Sequence, residues 1–206
     1  MSSNHLKYIL QEEKMIIIIT LIVHGFLGGL CNLGGAAQIL ILKTYEIFLI
    51  PFVACWSIYA FWDYVDNDVY EVYLSYPKSR LIISFSKIAV VLMLYLIMYS
   101  ILFWYTFTEL DIRAIYYIGT IGEIFFWTAI GYCLIICSRS IIISIASVWI
   151  YTAIQILDVE KHFSFMAIYL YVYDNANAII IKTGILLMIS VILITITQLK
   201  FNRMKL

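Results

Sequence analysis

The stretch Ala89–Trp104, AVVLMLYLIMYSILFW, decides the fold class of this chain. Apolar residues follow one another along it, and they do not alternate with polar ones. A strand of a transmembrane β-barrel alternates, because one face meets lipid and the other meets the lumen. The run therefore predicts a membrane-spanning helix, and IIIITLIV at residues 16–23 carries the same signal.

The composition of the whole chain agrees with a membrane location. Of its 206 residues, 64% are hydrophobic and 13% are charged, and the mean hydropathy is +0.98. Soluble domains carry about 25% charged residues, so this chain lacks the side chains of a water-facing surface. The net charge of zero gives no electrostatic basis for binding nucleic acid. No small-residue cleavage site follows the first apolar run, so we expect no removable signal peptide.

Six apolar stretches approach the roughly 20 residues that a helix needs to cross a bilayer. They predict an all-α polytopic membrane protein whose single transmembrane domain covers residues 1–206. The spans occupy nearly the whole chain, which leaves no room for a soluble domain. The predicted spans are Met15–Gly34, Tyr45–Trp62, Ser84–Phe107, Tyr116–Cys137, Ile141–Leu157 and Ile179–Leu199.

The basic residues predict the orientation, because cytoplasmic flanks carry an excess of Lys and Arg. With the N-terminus inside, nine of the 13 basic residues face the cytoplasm and four face outward, namely Lys43, Arg113, Lys161 and Lys182. We therefore expect a multi-pass cell-membrane protein with both termini cytoplasmic. Residues 63–83 then form the largest cytoplasmic loop.

This loop contains a rigid corner at Pro77, because a proline disfavours helix at the residue before it. Ser79 is suited to cap the helix that follows, and Lys78 and Arg80 place positive charge beside the corner. One interpretation is a solvated turn. The other is a docking surface for a soluble partner.

Two motifs resemble those of type 2 ATP-binding cassette (ABC) transporter permeases. The pattern E-x-x-L-x-x-P-x-S-R, followed by a lysine seven residues later, is similar to their loop between helices 2 and 3. It is formed here by Glu71, Leu74, Pro77, Ser79, Arg80 and Lys87. The stretch GYCLIICSRSIIISIASVWIY, residues 131–151, resembles the end of their fourth helix, the following turn and the fifth helix. The matching positions are Gly131, Ser138, Arg139 and Ser140.

The resemblance implies a coupling helix that rests on a separate cytoplasmic ATPase subunit. It assigns that contact to Glu71, Leu74, Pro77, Lys78, Ser79 and Arg80. It also implies an interfacial segment at residues 1–14 and a dimer with a second permease. The sequence contains no G-x-x-x-x-G-K-[ST] loop for nucleotide phosphates. ATP and Mg²⁺ would therefore belong to the partner, and this chain needs no cofactor of its own.

Glu123 is the clearest ionisable residue inside a predicted span, where insertion of a charge costs roughly 2.5–3.5 kcal/mol. It shares a helix face with Gly119, Thr120 and Trp127, so we expect it to point inward. A substrate contact, a proton-linked carboxylate and a bond to a neighbouring helix all remain open. Glu46 lies nearer a span end, where we expect hydration.

Small and polar residues recur on one face of the first and the fifth spans. This pattern favours close helix packing, and the resemblance adds a substrate path or dimer seam as the alternative. Pro51 predicts a kink in the second span, because it removes a helix hydrogen bond. The two stripes are Thr20, His24, Gly28, Cys31 and Gly35, and Ser144, Ser147, Tyr151 and Gln155.

Residues 158–178 include an apolar run, Phe163–Tyr173, that is too short to cross a bilayer. We expect a re-entrant or an interfacial extracellular segment there. Cys133 and Cys137 lie one helical turn apart, but without a nearby His or carboxylate they are poor zinc ligands. We therefore predict no metal site.

The sequence carries neither a G-x-S-x-G nor an H-E-x-x-H motif, so we predict that the chain is not an enzyme. The favoured function is the permease subunit of an exporter for a small amphipathic peptide, antimicrobial or lipid-like molecule, including self-immunity. The alternative is a non-transporting immunity or sensor module that binds a peptide or a partner protein without ATP.

Overall fold

The computed structural model describes residues 43–62, 64–65, 80–106, 113–157 and 176–203, with five helical positions of the first apolar run, Ile18, Ile22, Gly25, Phe26 and Gly29. Across these residues there are helices and turns and no strand, which confirms the all-α class. A π-helical turn, Tyr45–Leu49, leads directly into α1. The helices are α1 (Ile50–Trp62), α2 (Arg80–Thr106), α3 (Arg113–Ser138), α4 (Ile141–Leu157) and α5 (Ala176–Arg203).

Among the described residues, four helical stretches are long and apolar enough to cross a bilayer, and α4 supplies a shorter apolar helix, Ile141–Ile154. Large apolar side chains cover the outside of the bundle, as Met93, Ile97 and Ile101 do along one face of α2. Apolar surface of this extent is what lipid requires and water disfavours. The part of the chain that the structure describes thus has four or five apolar helices that could span a membrane. The first predicted span lies largely outside the described residues.

The helices are longer than most of the predicted spans. α2 begins at Arg80 and not at Ser84, α3 begins at Arg113 and not at Tyr116, and α5 exceeds its predicted span at both ends. An apolar run marks only the hydrocarbon layer, whereas the helical hydrogen bonds continue into the polar layers on either side. Residues 80–83 and 176–178 therefore belong to helices. Residues 1–14 and 158–175 lie outside the described part of the chain.

α3 lies at the centre of the bundle, since it contacts all four of the other helices. It runs parallel to α1, because Ser57 donates to the Thr128 carbonyl at 3.0 Å and one turn later Phe61 packs on Tyr132. α5 runs parallel to α3 as well, while α2 and α4 run the opposite way. The bundle thus has a loop end, where α1 and α5 end and α2 begins, and a far end, where the π-helical turn lies.

Pro51 has a local consequence in the turn that precedes it. The Ile50 N–H donates to the carbonyl of Tyr45, five residues earlier. A proline ring clashes with the carbonyl four residues before it, and the wider π turn displaces that carbonyl. The Tyr95 hydroxyl of α2 donates to the Leu49 carbonyl and so fastens the irregular turn to its neighbour.

The connection between α3 and α4 is a serine-lined corner. Arg139 has φ of 52°, a left-handed conformation that is unusual for a residue with a side chain. Ser138 accepts the Ser140 N–H at 3.2 Å, and the Ser144 hydroxyl donates to the Ser140 carbonyl at 2.7 Å. These bonds hold the chain reversal in one conformation and compensate for the backbone strain at Arg139.

Gly131 permits the closest approach between α1 and α3. A Cβ atom at this position would lie 2.4 Å from the Ala54 carbonyl oxygen and 2.9 Å from the Ala54 Cα. Both atoms belong to the backbone, so a side-chain rotation cannot relieve the clash. Small residues at such crossings are a common means of packing helices in membranes.

We expect Gly131→Ala to lower the free energy of unfolding by about 1–3 kcal/mol, the usual cost of overpacking. Gly184→Ala on α5 is the matched control, because a Cβ there meets no described atom within 4 Å. Reversible unfolding in mixed micelles measures both variants. Equal stabilities of the two variants would contradict the close α1–α3 contact.

Candidate functional site

Lys87 of α2 fastens the base of the loop that joins α1 to α2. Its side chain is 4% exposed, and its ammonium donates to the Ala60 carbonyl at 2.7 Å. The same nitrogen lies 4.5 Å from the centre of the Tyr64 ring. The last carbonyls of a helix lack partners within the helix and form its negative end. Lys87 satisfies one of them and gains the compensation that a buried charge requires.

Aromatic and polar contacts extend from this lysine to the end of α5. The Tyr64 ring meets Phe201 edge to face at 6.2 Å between ring centres. Tyr132 packs on the neighbouring Phe61 and donates to Gln198 Oε1 at 3.0 Å. We call these residues the loop-end clamp, namely Ala60, Phe61, Tyr64, Lys87, Tyr132, Gln198 and Phe201. The clamp connects both stems of the loop to α3 and to the last turns of α5.

Most of the predicted ATPase-coupling residues lie outside the described part of the chain. These are Glu71, Leu74, Pro77, Lys78 and Ser79, while Arg80 is the first residue of α2. The structure describes the two stems on which that segment is mounted. Sequence reasoning noted Lys87 as a motif position but missed its partners. In the sequence, the signal for the Lys87 contacts was the group of aromatic residues around the start of the loop.

A second polar cluster lies at the far end, and it contains two carboxyl groups. Glu46 and Glu123 are fully buried, as is Tyr99 between them. Both carboxyl groups act electrostatically on the Tyr99 hydroxyl. Glu123 therefore points inward, as the sequence predicted.

The expectation that Glu46 is hydrated is wrong. The π-helical turn buries Tyr45, Glu46 and Leu49 together, and the Tyr45 ring packs edge to face on Tyr99 at 6.3 Å. The position of Glu46 near a span end therefore did not determine its exposure. Glu46 is buried because it lies on the face of the turn that packs against α2.

Lys182 of α5 is half-buried and lies within electrostatic range of Glu123. The approach of α3 and α5 brings these two residues together, because a Cβ on Gly122 would lie 2.8 Å from Thr183 Cγ2. Glu46, Glu123 and Lys182 all make interactions within the structure. A charge inside a membrane needs a protein partner or water, and for Glu123 the electrostatic interaction with Lys182 is one such contact. The carboxyl groups of the cluster are chemically able to hold a proton, and Glu123 and Lys182 attract one another electrostatically between α3 and α5.

In the predicted polar stripe of the fifth span, Ser144 and Tyr151 make packing contacts, while Ser147 makes a hydrogen bond within α4. Ser144 is buried and bonds within the serine-lined corner, while the Ser147 hydroxyl donates to the Ile143 carbonyl at 2.8 Å. Tyr151 meets Trp127 edge to face at 5.8 Å. His24 and Gly28 of the first span lie outside the described residues. Within the residues that are described, no group of three His, Cys, Asp or Glu side chains is arranged to hold a metal ion.

Comparison of this chain with protein-family models, with curated proteins and with solved structures found no match.

We expect Glu123 and Lys182 to stabilise one another. Glu123→Gln and Lys182→Met, made singly and together, should show a coupling energy of about 0.5–3 kcal/mol, as interacting neighbours do. Reversible unfolding in mixed micelles gives the four free energies. Lys200→Met is the control, since it lies about 27 Å further along α5 and should add to Glu123→Gln without coupling. Additivity in both double variants would contradict the pairing.

Proposed function

We propose that this chain is the membrane-spanning permease subunit of an ABC exporter. A separate cytoplasmic ATPase would bind ATP and Mg²⁺, and two permease subunits would form the membrane unit. In this proposal six helices cross the cell membrane, both termini face the cytoplasm, and the loop end of the bundle is the cytoplasmic end. The proposed cargo is a small amphipathic peptide, antimicrobial or lipid-like molecule, with self-immunity as one use.

The observation that carries the proposal is the loop-end clamp. A docking segment transmits force only if its base moves with the helices, and Lys87 joins the two stems through Ala60 and Tyr64. A loop held only by its chain ends would absorb the displacement. The clamp also reaches α5 through Tyr64 and Phe201. Movement at the docking segment would thus pass to several helices together.

The location of the two motifs gives further support. The stems of the Glu71–Arg80 motif and the Ser138–Ser140 corner both lie at the loop end. A single soluble partner beneath that end could contact both. The corner is held by hydrogen bonds among Ser138, Ser140 and Ser144, and Arg139 within it is exposed. This corner would give the soluble partner a rigid contact point near the stems of the coupling segment.

The far-end cluster fits the other part of a transport cycle. Glu46, Glu123 and Lys182 come from the π-helical turn, α3 and α5, so relative movement of these elements would alter their pairing. Re-pairing of charges in a low-dielectric interior carries a substantial energy. The cluster would therefore favour one arrangement of the helices until ATP hydrolysis supplies the work to leave it.

The test is co-purification of the tagged chain with its ATPase from native membranes, with ATPase activity measured in the eluate. The test variant is Glu71→Ala/Arg80→Ala. Glu109→Ala/Arg113→Ala is the matched control, because it removes the same two charges from the predicted outer side. We expect the wild type and the control to retain the ATPase, and the test variant to lose it or to lose cargo-stimulated hydrolysis.

An absence of any P-loop ATPase with the wild type would overturn the proposal. We would then infer that the chain is a passive immunity or sensor module that binds a peptide without ATP. Equal loss of the ATPase from both double variants would also count against a specific coupling contact at residues 71–80.

A further inference from the structure

Two thiols lie side by side near the loop end of α3. The sulfur atoms of Cys133 and Cys137 are 3.9 Å apart. Cys133 is half-buried and Cys137 is exposed, and both are free cysteines. Cys137 directly precedes the serine-lined corner, so the pair occupies the last turns of α3.

The helix geometry favours a bridging ligand over a disulfide. Residues four apart on a helix have Cβ atoms about 5–6 Å apart, whereas a disulfide brings its Cβ atoms to about 3.8 Å. Two metal–thiolate bonds of about 2.3 Å, the length known for zinc, would span the observed separation at an angle of about 116°. This angle is close to the 120° of a trigonal centre. The two thiols are thus already spaced as two ligands of one metal ion.

The surroundings favour a soft monovalent ion. A structural zinc site needs four protein ligands, and the described residues offer no third His, Cys, Asp or Glu for this pair. Soft thiolates select Cu(I), zinc and iron–sulfur clusters, and iron–sulfur clusters also need four protein ligands, so Cu(I) suits a two-thiol site best. Two thiolates and one Cu(I) carry a net charge of −1, and the Lys200 ammonium lies within electrostatic range of Cys133 to balance it.

In contrast to the expectation of no metal site from the sequence, we propose that Cys133 and Cys137 form an open binding site for Cu(I), with a third ligand supplied from outside the chain. Binding releases one proton from each thiol to solvent and forms two Cu–S bonds, without a change in oxidation state. The exposed side of Cys137 leaves the third position accessible to a donor thiol or to water. The bound ion would fix the last turn of α3 beside Arg139. This site is independent of the proposed transport function.

The test is an anaerobic titration of the reduced, full-length protein in micelles against a Cu(I)-specific chelator. We expect one Cu(I) per chain to be withdrawn from the chelator. Cys133→Ser and Cys137→Ser should each weaken binding by at least about tenfold, since even outer-shell changes at metal sites cost 10–100-fold. Cys55→Ser is the matched control, because Cys55 is a single buried thiol. It should bind as the wild type does.

Alkylation followed by mass spectrometry gives a second readout that does not depend on the affinity of a variant. Cu(I) should protect Cys137 in the wild type, and this protection should be lost in Cys133→Ser. Lys200→Gln should weaken binding by a smaller factor than loss of either thiol. The proposal is overturned if the wild type takes no Cu(I) from the chelator. It is equally overturned if either serine variant binds as the wild type does, or if Cys55→Ser abolishes binding.

Discussion

A buried ammonium group in an apolar bundle must find its hydrogen-bond partners within the protein, and Lys87 finds them at the end of α1. The Ala60 carbonyl and the Tyr64 ring compensate the charge at 2.7 Å and 4.5 Å. The lysine thereby fixes the axial register of α2 against α1. The base of the intervening loop, the aromatic contacts to Phe201 and the orientation of Tyr132 all follow from that register.

α3 connects these contacts to the rest of the bundle. Gly131 brings α3 against α1, and Gly122 brings it against α5. The same helix contributes Tyr132 to the loop-end clamp and Glu123 to the far-end cluster. A tilt of α3 would therefore disturb both polar clusters at once. The proposed transport function would require such a mechanical connection between the two ends of the bundle.

The sequence was sufficient for the features that depend on local pattern. Unbroken apolar runs such as Ala89–Trp104 located the helices, and the predicted bounds of α4, Ile141–Leu157, agree with the structure. The neighbours of Glu123 on its helix face indicated that it points inward. The sequence was not sufficient for features that depend on the rotation of a helix about its axis or on contacts with other helices. Glu46 is buried because the π-helical turn before Pro51 faces α2, and the position of a residue along a span does not reveal that. The role of Lys87 depends on a carbonyl 27 residues away.

Hydrogen–deuterium exchange on the wild type and on Lys87→Met, with Lys182→Met as the control, tests the clamp most directly. We expect faster exchange at residues 60–65 and also at residues 198–203 in Lys87→Met, because loss of the ammonium removes the link between Ala60 and Tyr64 and loosens the packing of Tyr64 on Phe201. Lys182→Met should leave both segments protected. Faster exchange confined to the residues next to position 87 would contradict the account, since the loop base and α5 would then not be connected through this lysine.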